Sequence, residues 1–345
     1  MKKILIGIGI IIVLGAAVVA WMVFGSATAF SEKKRTLYIS SVAATKEAVL
    51  DSLEKNKIIK NRTAFERMAA RMDYWQSIRP GKYDIKKGTS LLHLIRLLRN
   101  GQQSPVNLVI TKIRTKEDFA RLAANKFEFD STQMLQYLNN HDSLQQHGVD
   151  PEVAMTMILP DTYTFFWNTT PAKVYTKLAE ESKKFWTEER KAKAQQHGLT
   201  PEQAYILASV VEEETNASSE KGNIASVYMN RINKGMPLQA DPTVKFALKD
   251  FGLKRIYQKH TQTASPYNTY QNTGLPPGPI CTPSKATINA VLDAPATDYL
   301  YFVASSNFNG THVFTTNYAD HLIKAREYQQ ALDALLARKK TQTTP

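Results

Sequence analysis

The feature that most constrains this chain is an uninterrupted apolar run, Ile4–Phe24, preceded by Met1, Lys2 and Lys3. As a helix at ~1.5 Å per residue, its 21 residues reach about 31 Å, the thickness of a bilayer's hydrocarbon core. Ala27-Thr28-Ala29 has the small residues of a leader cleavage site, but a leader's apolar core is shorter, about 7–15 residues. The run therefore predicts one uncleaved transmembrane helix, with residues 1–25 as cytoplasmic tip and anchor. Lys2 and Lys3 favour a cytoplasmic start, while Lys33, Lys34 and Arg35 on the far side weaken that bias. The bulk of the chain is then expected outside the cytoplasmic membrane. The net charge of +13 suits anionic partners, yet nucleic acid is not expected in that compartment.

The remaining residues are those of a folded chain: 43% are apolar and 22% charged, which excludes global disorder. A single Cys281 excludes a disulfide framework and a thiolate metal cluster. Residues 26–35 are small, polar and charged, and read as a spacer. From Thr36 a β-like segment, two helical stretches and the helix Leu91–Leu98, closed by Asn100-Gly101, make a small module over 36–104. A larger mixed α/β domain is expected over 105–335, so the fold class is α+β, and 336–345 reads as a flexible tail. Tyr299 to Ala304 and His312 to Phe314 read as strands of a hairpin turned at Asn309-Gly310.

The local chemistry concentrates after Thr200. Thr200-Pro201-Glu202-Gln203 is a strong helix start, in which Thr200 caps and Gln203 returns a hydrogen bond. On that helix Ala204, Leu207, Ala208, Val211 and Thr215 share one face. At ~100° per residue Glu213 points away from that face, while Glu212 and Glu214 lie on its flanks. A flanking carboxyl can be half-desolvated and hold a proton near neutrality, but periodicity does not separate Glu212 from Glu214. Further on, Leu238-Gln239-Ala240-Asp241-Pro242, Tyr267-Asn268-Thr269-Tyr270 and Gly274-Leu275-Pro276-Pro277-Gly278 are stiffened loops. Their amides and aromatic rings suit polyhydroxylated ligands. The seven histidines include no HExxH, and neither a metal site nor a cofactor is expected.

Ala208-Ser209-Val210-Val211-Glu212-Glu213-Glu214-Thr215, Asn230-Arg231, Leu238 to Val244, Tyr267 to Tyr270 and Gly274 to Ile280, in that order, resemble the YceG-like (MltG) family of endolytic murein transglycosylases. Leu159 to Tyr163 and the His312-Val313-Phe314 strand extend the likeness. The resemblance implies a bacterial cytoplasmic-membrane protein with one membrane helix, a LysM-like module (36–104) and a YceG-like catalytic domain. It also implies cleavage of the MurNAc–GlcNAc bond of nascent peptidoglycan strands to 1,6-anhydro ends, limiting strand length, with peptidoglycan synthases as partners. By the same resemblance Glu212 is the catalytic acid and Glu214 and Asn230 support it. Gln239, Asp241, Asn268, Tyr270 and His312 are expected to bind the substrate. The competing expectation is a membrane-tethered glycan-binding scaffold without turnover.

Overall fold

The apolar run forms α1 (Lys2–Phe24) in a computed structural model that describes residues 2–342, side chains excepted at positions 2, 3, 5, 19, 22 and 337–342. Along α1 the side chains of Ile4, Ile6, Leu14, Val18, Trp21 and Phe24 are exposed. Among the described residues no helix is long and apolar enough to cross a membrane. Met1 and the side chains of Lys2, Lys3, Leu5, Val19 and Met22, all within the expected anchor, lie outside the described residues.

The chain divides into two compact units, the first made of residues up to Leu108 with Ala123–Asp130 and Tyr163–Thr170. After α1 it runs β1 (Lys34–Ile39), α2 (Lys46–Lys55), α3 (Arg62–Arg71), β2 (Gly81–Lys86) and α4 (Leu91–Arg99). Each of the three short helices has a polar cap: Thr45, Asn61 and Ser90 accept the N–H groups of Ala48, Ala64 and His93. The two strands pair antiparallel, from Lys34 opposite Lys86 to Ile39 opposite Gly81. Leu37, Tyr83 and Ile85 thereby meet Leu53, Phe65, Leu94 and Leu98 in one buried core.

The expected spacer over 26–35 is not slack. Thr28 and Phe30 are buried, the Ala27 and Ala29 amides donate to Thr89 and Ile58 at 3.0 Å, and the Lys60 amide donates to Ala27 O at 2.9 Å. Isolated bridges pair Ser26 with Ser90 and Thr28 with Ile59. Composition alone misses this because the residues that tie the segment down lie 29 to 64 positions downstream.

The rest of the chain continues through β3 (Val106–Ile110), α5 (Lys116–Ala124), α6 (Ser131–Asn139), α7 (His141–Gln145), β4 (Asp161–Phe165), α8 (Pro171–Phe185), α9 (Glu188–Gln196) and α10 (Pro201–Glu214). It closes with α11 (Lys221–Asn233), α12 (Asp241–Leu248), α13 (Gln258–Thr261), α14 (Lys285–Leu292), β5 (Tyr301–Ala304), β6 (His312–Thr315) and α15 (Tyr318–Gln342). Beyond the segments of the first unit, these residues form the second. Among the described residues six strands make three two-stranded sheets amid many helices, so the fold is mixed α/β. In the hairpin, Tyr301 faces Thr315 and Ala304 faces His312. α15 runs through 336–342, part of the stretch expected as a tail, and 343–345 lie outside the described residues.

α10 sits at the centre of the second unit. Its capping box is complete, Thr200 and Gln203 exchanging hydrogen bonds of 2.9 and 3.1 Å, and Pro201 takes the first helical position. Every residue from Ala204 to Val211 is buried, against α11, α12 and α14 among others. Over Ala204–Val211 this helix has no solvent face, unlike the one-sided stripe the sequence predicts. Its last turn therefore points three adjacent glutamates into three different protein environments.

Candidate active site

Glu212 lies at one side of that turn in a closed polar cluster. Its Oε2 accepts from Lys221 Nζ at 2.9 Å, from Ser284 Oγ at 3.2 Å and from the Thr287 hydroxyl. Lys221, itself buried, also donates to Thr287 Oγ1 at 2.6 Å. Burial alone would push the Glu212 carboxyl up, but the Thr287 hydroxyl, the Lys221 ammonium and Ser284 outweigh it and hold it below the usual carboxylate range. Glu213 is not outward-facing either. Arg114 grips it with a fork of 3.2 and 2.9 Å, and Lys112 approaches to 3.3 Å.

Glu214 has a different setting. It is half-buried, it accepts one hydrogen bond, 2.6 Å from the Tyr228 hydroxyl to Oε1, and it opens onto a cavity of about 290 Å³. Burial raises its pKa to about 7. The Asp241 charge adds to the rise, against the lowering effects of the Tyr228 hydrogen bond and of Lys245. A carboxyl with that pKa is protonated in a substantial fraction of molecules at neutral pH and can both give and take a proton.

The remaining cavity wall comes from α11, the loop before α12 and the start of α12, the loop after α13, β5 and α15. Tyr228 and Arg231 project from one face of α11, three residues apart. Arg231 donates to Leu300 O at 2.7 Å and to Leu238 O at 2.8 Å, joining the loop before α12 to the start of the hairpin. Gln239 adopts a left-handed backbone with φ of 53°, and its amide donates to Thr269 O at 3.0 Å. Tyr270 donates to Asp241 Oδ1 at 2.6 Å across the two loops. Phe302 and Leu238 supply apolar wall. His321 stacks on Tyr301 at 5.3 Å, with burial and the Arg231 charge pulling its pKa below the ordinary value. Among the described residues no group of three or more His, Cys, Asp and Glu side chains is placed to hold a metal ion.

Residues 39–327 match the YceG-like family. The chain belongs to the YceG-like family. An endolytic murein transglycosylase of Bacillus subtilis (strain 168) is 30% identical over 298 residues, which is 81% of this chain and 81% of that protein. The endolytic murein transglycosylase of Streptococcus pneumoniae (serotype 2, strain D39 / NCTC 7466) is 35% identical over 127 residues, 36% of this chain and 23% of the relative. Among solved structures, a YceG-like protein from Listeria monocytogenes superposes with a TM-score of 0.55 over 84% of this chain and 99% of its own, at 24% identity. At that identity the likeness speaks for the fold alone.

Within this YceG-like domain the sequence-expected residues separate into two groups. Glu214, Gln239, Asp241 and Tyr270 line one cavity. Glu212 does not: its carboxylate accepts hydrogen bonds from Lys221, Ser284 and Thr287. Asn268 is fully buried and shapes the loop that presents Tyr270. Its Nδ2 donates to Thr261 O and Thr263 O at 3.0 and 2.8 Å, and its Oδ1 accepts from the Tyr270 amide at 3.0 Å. His312 is paired by Nδ1 and by its amide to Glu220, at 3.0 and 2.7 Å. Asn230 donates to Thr297 O and Tyr299 O, fixing the approach to β5. Sequence reasoning did not single out Tyr228, Phe302 or His321. Of these only Tyr228 carries a signal, its i,i+3 spacing to the Arg231 already inside a motif.

Proposed function

We propose that this YceG-like chain is a membrane-anchored endolytic murein transglycosylase in which Glu214 is the single acid and base. The observation that carries the proposal is the Glu214 carboxyl on the wall of a polar cavity with a pKa raised to about 7. Tyr228 occupies Oε1, which leaves Oε2 to carry the proton. Protonated Glu214 gives that proton to the glycosidic oxygen between N-acetylmuramic acid and N-acetylglucosamine as the C1–O bond breaks. The resulting carboxylate takes the proton of the muramoyl 6-hydroxyl, whose oxygen bonds to C1 and closes the 1,6-anhydro ring. No water is consumed and the enzyme returns to its starting protonation state.

Asp241, the other acidic side chain on this wall, is held by Tyr270 and would face the positive charge that builds at C1. Gln239, Arg231 and Tyr270 offer amide, guanidinium and hydroxyl groups suited to sugar hydroxyls and acetamido groups.

Three finer points belong to the same reading. α1 is read as the membrane anchor on the uninterrupted apolar run Ile4–Phe24 of the sequence and the exposed apolar side chains described along it. The strand-helix-helix-strand order β1-α2-α3-β2 is read as a LysM-like module, held at the bilayer because residues 26–35 are packed into it. An enzyme tied that closely to the cytoplasmic membrane reaches glycan where strands are polymerised, which makes peptidoglycan synthases its natural partners.

The test is product analysis on uncrosslinked nascent glycan. The wild-type chain is expected to release anhydro-ended fragments, lighter by one water than hydrolytic ends, and Glu214→Gln to release them at least about 10²-fold more slowly while still binding strands. Hydrolytic ends, or undiminished anhydro release by Glu214→Gln, would overturn the proposal. Strand binding without turnover by the wild type would establish the scaffold alternative.

A further inference from the structure

A second, smaller cavity of about 50 Å³ is lined by Arg114, Glu213, Pro242, Lys245, Phe251 and Ile280. Two of its lining residues, Glu213 and Pro242, are the chain neighbours of Glu214 and Asp241 on the wall of the first cavity. Its charge is of opposite character. Arg114 and Lys245 line it together with the Glu213 carboxylate, which Lys112 also approaches to 3.3 Å, and the Lys245 charge bears on Glu214 as well. Arg114 is fixed by its fork to Glu213 and by stacking over Phe251 at 4.9 Å. Lys245, one turn beyond Asp241 on α12, takes part in no ion pair among the described residues. At about 50 Å³, against about 290 Å³ for the first cavity, the space suits a small group rather than a sugar ring.

We propose that this cavity receives a carboxylate of the peptide side chain borne by the glycan strand, held chiefly by Lys245 with Lys112. The proposal rests on the reading of the neighbouring cavity as the glycan-cleaving site. A peptide attached to the sugar at that site lies within reach of the adjoining cavity, and a single carboxylate matches its size and neutralises part of its charge. The site thus selects peptide-bearing strands over bare ones.

Binding by the full-length chain carrying Glu214→Gln separates the two readings, because it requires no turnover. Affinity is measured for peptide-bearing strands and for the same strands stripped of peptide, with and without Lys245→Ala. The expected result is tighter binding of peptide-bearing strands, a loss of about tenfold for them on Lys245→Ala, the size of a lost charge-assisted hydrogen bond, and little change for bare strands. Lys245→Arg should restore most of the preference. Equal binding of both strands, or an equal loss on both, would overturn the peptide-carboxylate site while leaving the cleavage reading intact. Competition by inorganic phosphate without dependence on peptide would assign the cavity to a phosphate-bearing polymer and also overturn it. Binding to neither strand would sink both readings.

Discussion

Glu212 and Glu214 stand two residues apart in the last turn of α10, yet one faces a lysine and two hydroxyls and the other faces a cavity. Around Glu212, burial is answered by a buried ammonium and two donors, so the charged form wins. Around Glu214, burial is answered by one tyrosine hydroxyl and compounded by Asp241, so the neutral form persists to about pH 7. The same side chain is held in its charged form in one place and kept protonated toward neutrality in the other. What differs is the number of hydrogen-bond donors supplied to the carboxylate, since both groups are removed from bulk water.

The comparison breaks most visibly in activity. Glu214→Gln removes the proton donor and is expected to lower anhydro-product release by about 10²–10⁴-fold or more, with the fold retained. Stability comes next. Glu212→Gln leaves the buried Lys221 ammonium without its counter-charge and should destabilise the second unit by about 3–5 kcal/mol, read as a lowered unfolding midpoint. Glu212→Gln combined with Lys221→Met should recover much of that loss, whereas a purely catalytic Glu212 would give an inactive protein of normal stability.

The smallest effects concern pH. Because Glu214 acts in its protonated form, activity should be present below about pH 7 and fall as pH rises through that value. Asp241→Asn removes a like charge and should shift this alkaline limb to lower pH. Tyr228→Phe removes a hydrogen bond to the carboxylate and should shift it to higher pH. Stability carries the same sign: the folded chain holds the Glu214 proton above the ordinary value of 4.5, so its contribution is present at low pH and lost as pH rises through about 7.

Several parts of this arrangement are legible in the sequence because their causes are local. The Thr200–Gln203 capping box and the α4 stripe are each specified within a few residues, whereas the hairpin closes through a loop over 305–311 whose hydrogen-bonded turn is Ser305–Phe308 rather than Asn309-Gly310. The 100° step also places Glu212 and Glu214 correctly on opposite flanks of the Val211 face. What lies beyond each flank is not local. Arg114 reaches Glu213 from 99 residues away, and Thr287 and Ser284 reach Glu212 from 75 and 72. An all-round buried helix and a one-sided helix differ by partners that periodicity does not see. The loop residues show the same limit: Gln239 and Tyr270 reach the cavity, while Asn268 spends its amide holding the loop that carries Tyr270. The tie between residues 26–35 and α4, too, is written in residues far downstream of the segment itself.

Site-specific titration decides the matter most directly. With glutamate carboxyl carbons labelled and assigned through Glu212→Gln and Glu214→Gln spectra, carbon chemical shifts followed from pH 3 to 9 report each group separately. The expected midpoints are about 7 for Glu214 and below the ordinary carboxylate range for Glu212. A Glu214 midpoint near the ordinary value together with a raised Glu212 would contradict the assignment and return the proton donor to the Lys221 side of the helix.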